Sequence, residues 1–464
     1  MTATATRRGW DRATLIVFPG FMLATLMAGL DQTIVATALP SIAADLSGLS
    51  HLAWVVTAYG LAVGVSTPVH GKLGDLFPRK LLFQLSVATF LAGSALCGTA
   101  WSMPALIAFR VLQGIGAGGI VVHSQSILGE LIPPAERGRY LGFMQSAFAV
   151  STVAGPLLGG VLAENLGWRW AFYVNLPFGA LALAVVAVNV PRGAPRRGEA
   201  RIDWLGAVLL STGITALLLV TGWGGREHGW GSPLVLALAA GAVVLLTALL
   251  WWERRAREPM LPLRLFGNPV ARVVFSLVFL LGFTTVGLTI FVPLFFQLAD
   301  RVTPTASGMR LAPLWLSWAV ASTAAGQFVA RTGRYRVLPI TGAALVTAAL
   351  VLWWQMPAGT AYGAEAGALV LAGIGLGMIN SVMLIVVQNA VAAGDIGVAT
   401  STTTFSQTIG ASSGVAVFGS VFAAGLAGGY PAAVHGVFLL AAATAVLALA
   451  TALCLREIPL RKVR

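Results

Sequence analysis

The chain has 464 residues, 57% of them hydrophobic and only 10% charged, where a soluble domain carries about 25% charged residues. That balance excludes an ordinary water-soluble domain. The net charge of +13 invites a nucleic-acid partner, but the placement of the basic residues, taken up below, removes that reading. Two cysteines, Cys97 and Cys454, lie in separate apolar stretches, and five histidines are scattered without ligand spacing, so neither a disulfide framework nor a metal site is expected.

Apolar runs of spanning length recur from end to end. They predict fourteen membrane spans, near 14–39, 52–70, 81–99, 104–128, 140–163, 168–190, 203–222, 233–252, 273–297, 309–330, 337–354, 365–388, 399–425 and 432–455. Helices are the expected form, because a chain in hydrocarbon must satisfy its own backbone and these runs are too long for barrel strands. The first run is longer than a signal-peptide core, contains Asp31 and lacks a small-residue cleavage site, so it reads as a retained span.

In chain order, span one carries "GLDQTIVATALP", with Asp31 about 12–14 Å in from Pro40 at 1.5 Å per residue. An aspartate at that depth costs roughly 2.5–3.5 kcal/mol and needs a partner, a proton or a function. After span two comes "GKLGDLFPRK", with Gly71, Asp75, Arg79 and Lys80; the two bases are expected at the membrane surface. Span four, "RVLQGIGAGG", places Arg110 about 9 Å in from Pro104. The matching depths predict an Asp31–Arg110 pair, direct or bridged by water. Burial favours the protonated acid and a neighbouring arginine the ionised one, so a rearrangement that alters either changes the proton occupancy of Asp31. Gln113 lies one turn from Arg110, and Gln125 about 60° from it around the helix, whereas His123 is about 140° away and reads as a packed histidine. Span five holds "AGPLLGG", where Gly155, Gly159 and Gly160 make a face for close helix packing and Pro156 bends the span.

The loops alternate in charge. One set, which includes both termini, holds 24 of the 29 basic residues, so both termini are expected in the cytoplasm. The chain is also duplicated. "GLD" at 29–31 matches "GLT" at 287–289, "GKLGDLFPRK" matches "GQFVARTGRY" at 326–335, "GIGAG" at 114–118 matches "GIGLG" at 373–377, and "GPLLGG" matches "GVAVFG" at 414–419. Four matches in order at nearly one offset mark a repeat. It divides the chain into a six-helix bundle (1–190), a linker with two extra helices (191–269) and a second six-helix bundle (270–464). Asp31 maps to Thr289 and Arg110 to Leu369, so core charge is expected in the first half alone. Thr289, Asn380 and Trp315 are candidate substrate contacts in the second half, beside Gln113 and Gln125 in the first.

Together "LDQTIVATALP", "GKLGDLFPRK", "RVLQGIGAGG", "AGPLLGG" and "WRWAFYVNLPFG" resemble the major facilitator superfamily, in its fourteen-span drug:proton antiporter branch, the EmrB/QacA type. The resemblance covers essentially the whole chain. It implies an all-α polytopic fold of two bundles with an extra helix pair, and a bacterial plasma-membrane exporter of lipophilic drugs or antibiotics working by alternating access. It further implies that "GKLGDLFPRK" latches the cytoplasmic side, that "AGPLLGG" is the antiporter motif, and that Asp31 and Arg110 couple protons. Leu76 and Pro78 depart from the loop pattern.

The expected partners are a small lipophilic substrate, protons and the bilayer, with the chain a monomer, no cofactor and no enzymatic activity. One proton entering across 100 mV releases about 2.3 kcal/mol, enough with a pH gradient for a ratio of about a hundredfold. A single core acid, with none in spans nine to fourteen, predicts one proton per cycle and neutral, zwitterionic or monovalent substrates. A proton-coupled importer shares the same fold. A non-transport membrane enzyme would need a catalytic cluster, and the short loops hold none.

Overall fold

The computed structural model describes residues 12–46, 52–132, 134–190, 203–224, 228–256, 259–260, 263–298, 301–357 and 359–459. The first half comprises α1 (Arg12–Asp45), α2 (Leu52–Leu76), α3 (Arg79–Gly98), α4 (Met103–Leu131), α5 (Pro134–Asn165), α6 (Trp170–Tyr173) and α7 (Asn175–Asn189). Then come α8 (Trp204–Trp223), α9 (Pro233–Glu253) and the short α10 (Arg264–Gly267). The second half holds α11 (Pro269–Val286), a π-helical turn (Gly287–Phe291), α12 (Val292–Leu298) and α13 (Pro304–Met309). It continues with α14 (Ala312–Thr332), α15 (Val337–Gln355), α16 (Tyr362–Ala390), α17 (Ile396–Gly425) and α18 (Tyr430–Leu453).

Local chemistry explains several boundaries. Ser102 accepts from the Ala105 amide at the start of α4, Ser232 from Val235 at α9, and Asn268 from Val270 and Ala271 at α11, each before a proline whose missing N–H is harmless there. Gly333, at φ 69°, closes α14 in the left-handed conformation.

Eleven helices among the described residues are long and apolar enough to cross a membrane. That is fewer than the fourteen spans expected. The runs predicted near 52–70, 140–163 and 309–330 are the helices α2, α5 and α14, which are not among the eleven. α5 and α14 face each other across the two halves, where Ser146 Oγ lies 3.1 Å from Thr323 Oγ1, and α2 faces α17.

The repeat is visible in the packing. In α4, Gly114 and Gly118 lie against α2 (the Tyr59 carbonyl, Ser66) and Gly116 against α3 (Ser86, Phe90). In α16, Gly373 and Gly377 lie against α14 (Leu314, Trp318) and Gly375 against α15 (Gly342, Val346). Both glycine triplets serve one purpose: a β-carbon at any of these positions would strike a neighbouring helix.

The extra pair α8–α9 has its own small core, Leu210, Ile214, Leu218, Leu249 and Met260. It packs on Leu61, Val65 and Val69 of α2 and on Phe405 and Ile409 of α17, and so touches both halves. At the far end of α1, Asp45 accepts from the Trp168 indole at 2.9 Å and from Arg169 at 2.7 Å. The Trp168 hydrogen bond first, and then Arg169, hold its carboxyl below the usual aspartate range.

Candidate functional site

Asp31 sits in α1 with no exposed surface, and Arg110 of α4 is 1% exposed. Arg110 Nη1 donates to Asp31 Oδ2 at 2.6 Å and to Gln113 Oε1 at 2.7 Å. Gln113 Nε2 donates to Asp31 Oδ1 at 2.7 Å, and Asn175 Nδ2 of α7 donates to the same oxygen at 2.9 Å. Ser94 Oγ of α3 accepts from both amides, at 3.1 and 3.0 Å, and donates to the Phe172 carbonyl at 2.8 Å. Arg110 also donates through Nε to the Val55 carbonyl at 3.2 Å, and its guanidinium carbon lies 4.0 Å from the centre of the Tyr59 ring.

Two charges in such a place are tolerable only because partners surround them. The carboxylate has three donors from two helices, and the guanidinium faces carboxylate, amide, carbonyl and ring. Six elements of the first half (α1, α2, α3, α4, α6 and α7) thereby share one polar knot. The pair is direct rather than bridged by water. It is also enclosed within the first bundle in this state.

Sequence reasoning reached Asp31, Arg110 and Gln113 and missed Ser94 and Asn175. The signal for Asn175 lies in "WRWAFYVNLPFG": an amide amid apolar residues, one residue short of Pro177, is as unusual in a span as a charge.

The motif expected as a loop is the last turns of α2, with Gly71 and Asp75, and the start of α3, with Arg79 and Lys80, and it joins the halves. Asp75 Oδ1 accepts from the Gly397 amide at 3.0 Å and Oδ2 from the Val398 amide at 2.8 Å, so a carboxylate of the first half caps the start of α17 in the second. Gly71 makes this approach possible, since a β-carbon there would strike the Ser401 side chain. Arg79 donates to Asp75 Oδ1 at 2.6 Å, to the Gly74 and Ser126 carbonyls at 2.9 and 3.1 Å, and meets Glu130 at 2.9 Å. Arg79 was expected at the membrane surface and is instead buried, because these acceptors enclose it. Lys80 donates to the Ala187 carbonyl at 2.8 Å and to that of Val190, at the end of α7.

On α5, a β-carbon at Gly155 would meet the Thr33 hydroxyl, and one at Gly159 the Thr37 hydroxyl and the Ile34 carbonyl; Gly160 has open space beside it. Thr33, two residues beyond Asp31, donates to the Ser151 carbonyl at 3.1 Å. The side chain of Pro156 lies outside the described residues.

The remaining candidates do not converge. Gln125 lies where the halves meet, its carbonyl 3.4 Å from Gln388 Nε2. Thr289 falls in the π-helical turn and donates to its own helix at Thr285. Trp315 stacks on Trp318, with ring centres 5.4 Å apart, and Asn380 is half-buried in α16. Among the described residues these four share no hydrogen bond with one another.

A second buried acid lies in an apolar helix, where none was expected. Glu365, in the first turn of α16, has no exposed surface and lies 3.8 Å from Arg310, whose guanidinium faces Phe296 and Tyr362 at 5.3 and 5.0 Å. It was passed over because it stands at the edge of a span, where carboxylates usually meet water. Among the described residues no three His, Cys, Asp or Glu side chains gather as a metal site would need.

The family model described as "Major Facilitator Superfamily" matches residues 21–415. The chain is 42% identical over 407 residues to an uncharacterised MFS-type transporter, Rv1877, of Mycobacterium tuberculosis; the match takes in 88% of this chain and 59% of that protein. The chain therefore spans less than two thirds of the length of that relative. It is 34% identical over 409 residues to Multidrug resistance protein 3 of Bacillus subtilis, covering 88% of this chain and 80% of that one. To the Multidrug transporter protein MdtP of the same organism it is 31% identical over 415 residues, covering 89% and 76%. Among solved structures, the human organic anion transporter MFSD10 (TETRAN) superposes with a TM-score of 0.67 at 17% identity, covering 95% of this chain and 99% of that one. The proton:xylose symporter XylE superposes with a TM-score of 0.65 at 15% identity, covering 95% of each. Family model, relatives and fold agree with the paired bundles and the glycine-built helix crossings, and the chain belongs to the major facilitator superfamily.

Proposed function

We propose that the protein is a proton-coupled exporter of lipophilic drugs in a bacterial plasma membrane, of the fourteen-span drug:proton antiporter branch. The observation that carries the reading is the enclosed Asp31–Arg110 pair with Gln113 and Asn175. The names of the Bacillus relatives support multidrug export, and the placement of 24 of the 29 basic residues supports cytoplasmic termini. In this reading α2, α5 and α14 are spans alongside the eleven more apolar helices, residues 1–190 and 270–464 are the two moving bundles, and α8–α9 joins them. The working unit is a monomer.

The coupling follows from the network. A proton on Asp31 removes the charge that holds Arg110 and turns one acceptor oxygen into a donor. Arg110 must then lean on Gln113, the Val55 carbonyl and the Tyr59 ring, and Asn175 loses an acceptor. Helices α1, α4 and α7 are thereby released from one another. α1 transmits the change to α5 through Thr33 against Gly155 and Thr37 against Gly159, and α5 packs on α14 of the other half. The Asp75 cap on α17 holds the cytoplasmic side closed until that shift occurs. With Glu365 also buried in the second half, the one-proton stoichiometry drawn from a single acid is not carried forward.

The test uses inside-out membrane vesicles acidified within, loaded with a fluorescent lipophilic cation outside. The wild-type chain should drive uptake, sustaining a ratio of about a hundredfold. Asp31→Asn should bring the ratio to about one, whereas downhill exchange continues. Uphill transport by Asp31→Asn at the normal rate would end the coupling assignment, and uptake only when the gradient is reversed would make the protein an importer.

A further inference from the structure

The coupling network leaves two imidazoles unused, one wholly buried and one half-buried. His70 of α2 and His123 of α4 approach with Nδ1 of the first 3.2 Å from Nε2 of the second, their rings nearly perpendicular at 88°. Glycines make the space: a β-carbon on Gly74 would lie 3.2 Å from Cε1 and Nδ1 of His123, and one on Gly119 would lie 2.8 Å from Cε1 of His70. His123 is wholly buried.

The hydrogen bonds assign the protons. His70 bonds the backbone of Ile115, a contact that uses an N–H of its ring. In a neutral imidazole the other nitrogen is then an acceptor, so His70 Nδ1 accepts from His123 Nε2–H. That leaves His123 Nδ1 as a bare lone pair, and it is a buried nitrogen with no hydrogen-bond partner. It lies under Gly74, whose carbonyl accepts from Arg79 Nε at 2.9 Å. The pair is thus one glycine away from the arginine of the latch.

We propose that His70 and His123 form a second proton-binding site, and that a proton taken up at His123 Nδ1 opens the latch made by Asp75, Arg79 and the start of α17. The proposal rests on the reading of that loop as the cytoplasmic latch. The added positive charge lies near Arg79, on a ring with no exposed surface, so it is favoured only when the halves part and water enters. The charged groups near the pair are few. Arg79 faces it from α3, Lys72 and Asp75 follow on α2, and Glu130 on α4 is held by Arg79. The sequences of α17 and α8, which also pack on α2, carry no ionisable side chain. Asp75 and Glu130 offset part of the charge of Arg79, so acid acts on them too, and variants must separate the contributions. The ligand is a proton from the cytoplasm, and the effect makes inward opening sensitive to internal acid.

The experiment measures inter-spin distances in the full chain in lipid nanodiscs between labels at Leu131→Cys and Arg331→Cys, both exposed on the latch face of opposite halves. Cys454 is replaced by Ser, and Asp31→Asn silences the coupling site. Lowering the pH from 8 to 5 should enlarge the long-distance population about tenfold per unit below ~6.5, the ordinary histidine range, until it saturates. His123→Gln and His70→Gln should each flatten that response; His123→Phe keeps the ring volume and serves should the glutamine variant not assemble. An unchanged pH response in the histidine variants, or none in the parent, overturns the proposal. Asp75→Asn should give a few-fold rise in the long-distance population at every pH. Its absence would overturn the latch reading instead, so the two failures are told apart.

Discussion

The two halves share their scaffolding and differ in their chemistry. α4 and α16 present matched glycines to matched neighbours, α2 and α3 in one case, α14 and α15 in the other. Yet "GLD" in the first half lies in a regular helix and brings Asp31 to Arg110, while "GLT" in the second lies in a π-helical turn whose threonine bonds its own backbone. A buried acid of the second half stands elsewhere, in the first turn of α16, 3.8 Å from Arg310. Helix crossing at glycine tolerates no larger side chain, so duplication preserves it. A polar knot needs all its members at once, so it survives in one half and is dispersed in the other.

The comparison can be broken first at the two arginines. Arg110→Ala strands a buried carboxylate and should cost about 3–5 kcal/mol. Arg310→Ala should cost about 1–2 kcal/mol, because its partly exposed guanidinium leaves a path for water to take its place. Thermal unfolding in detergent measures both, and equal losses would mean that the two acids are held alike.

The glycines sharpen the comparison from the other side. Gly116→Ala and Gly375→Ala each press a methyl on a neighbouring backbone and should cost about 1–3 kcal/mol, alike within error. A large loss at one and none at the other would show that the repeat packs differently in its two copies.

A smaller effect is expected at the joint between the halves. Asp75→Asn keeps an acceptor oxygen for α17 and loses its charge, worth about 0.5–1 kcal/mol at a helix start. Thiol labelling of residues at that joint should therefore rise a few-fold.

The smallest expected effect lies at Asp45, found in the first half only. Its folded-state carboxyl is held below the ordinary range by Trp168 and then Arg169. A depressed acid contributes stability above its unfolded value of about 3.9 and loses it as pH falls through the folded value. The melting temperature of Asp45→Asn should trail the wild type slightly at pH 7 and converge with it below about pH 4. A gap that widens in acid would reverse the assignment.

Much of the site was legible because charge in a bilayer is rare. Asp31 and Arg110 stood out for that reason, and the rise per residue put them at one depth. Ser94 and Asn175 carry no charge, and serines and amides occur in spans for many reasons, so only their convergence on one carboxylate reveals them. Arg79 reads as a surface base from its loop, because sequence does not show that Asp75, Glu130 and two carbonyls close over it. Glu365 reads as a boundary acid for the same reason.

From the sequence alone followed the membrane class, the glycine spacing shared by α4 and α16, the clustering of basic residues in alternate loops and the residue count that brings Asp31 level with Arg110. All are one-dimensional properties, set by hydropathy, period and residue count. The tertiary structure decided which polar atoms meet: Asn175 and Ser94 on the Asp31 knot, Asp75 on the start of α17, His70 against His123, and Arg310 beside Glu365. Hydrogen bonds and ion pairs act over about 3–4 Å, and only the packing of helices far apart in the chain sets distances of that order.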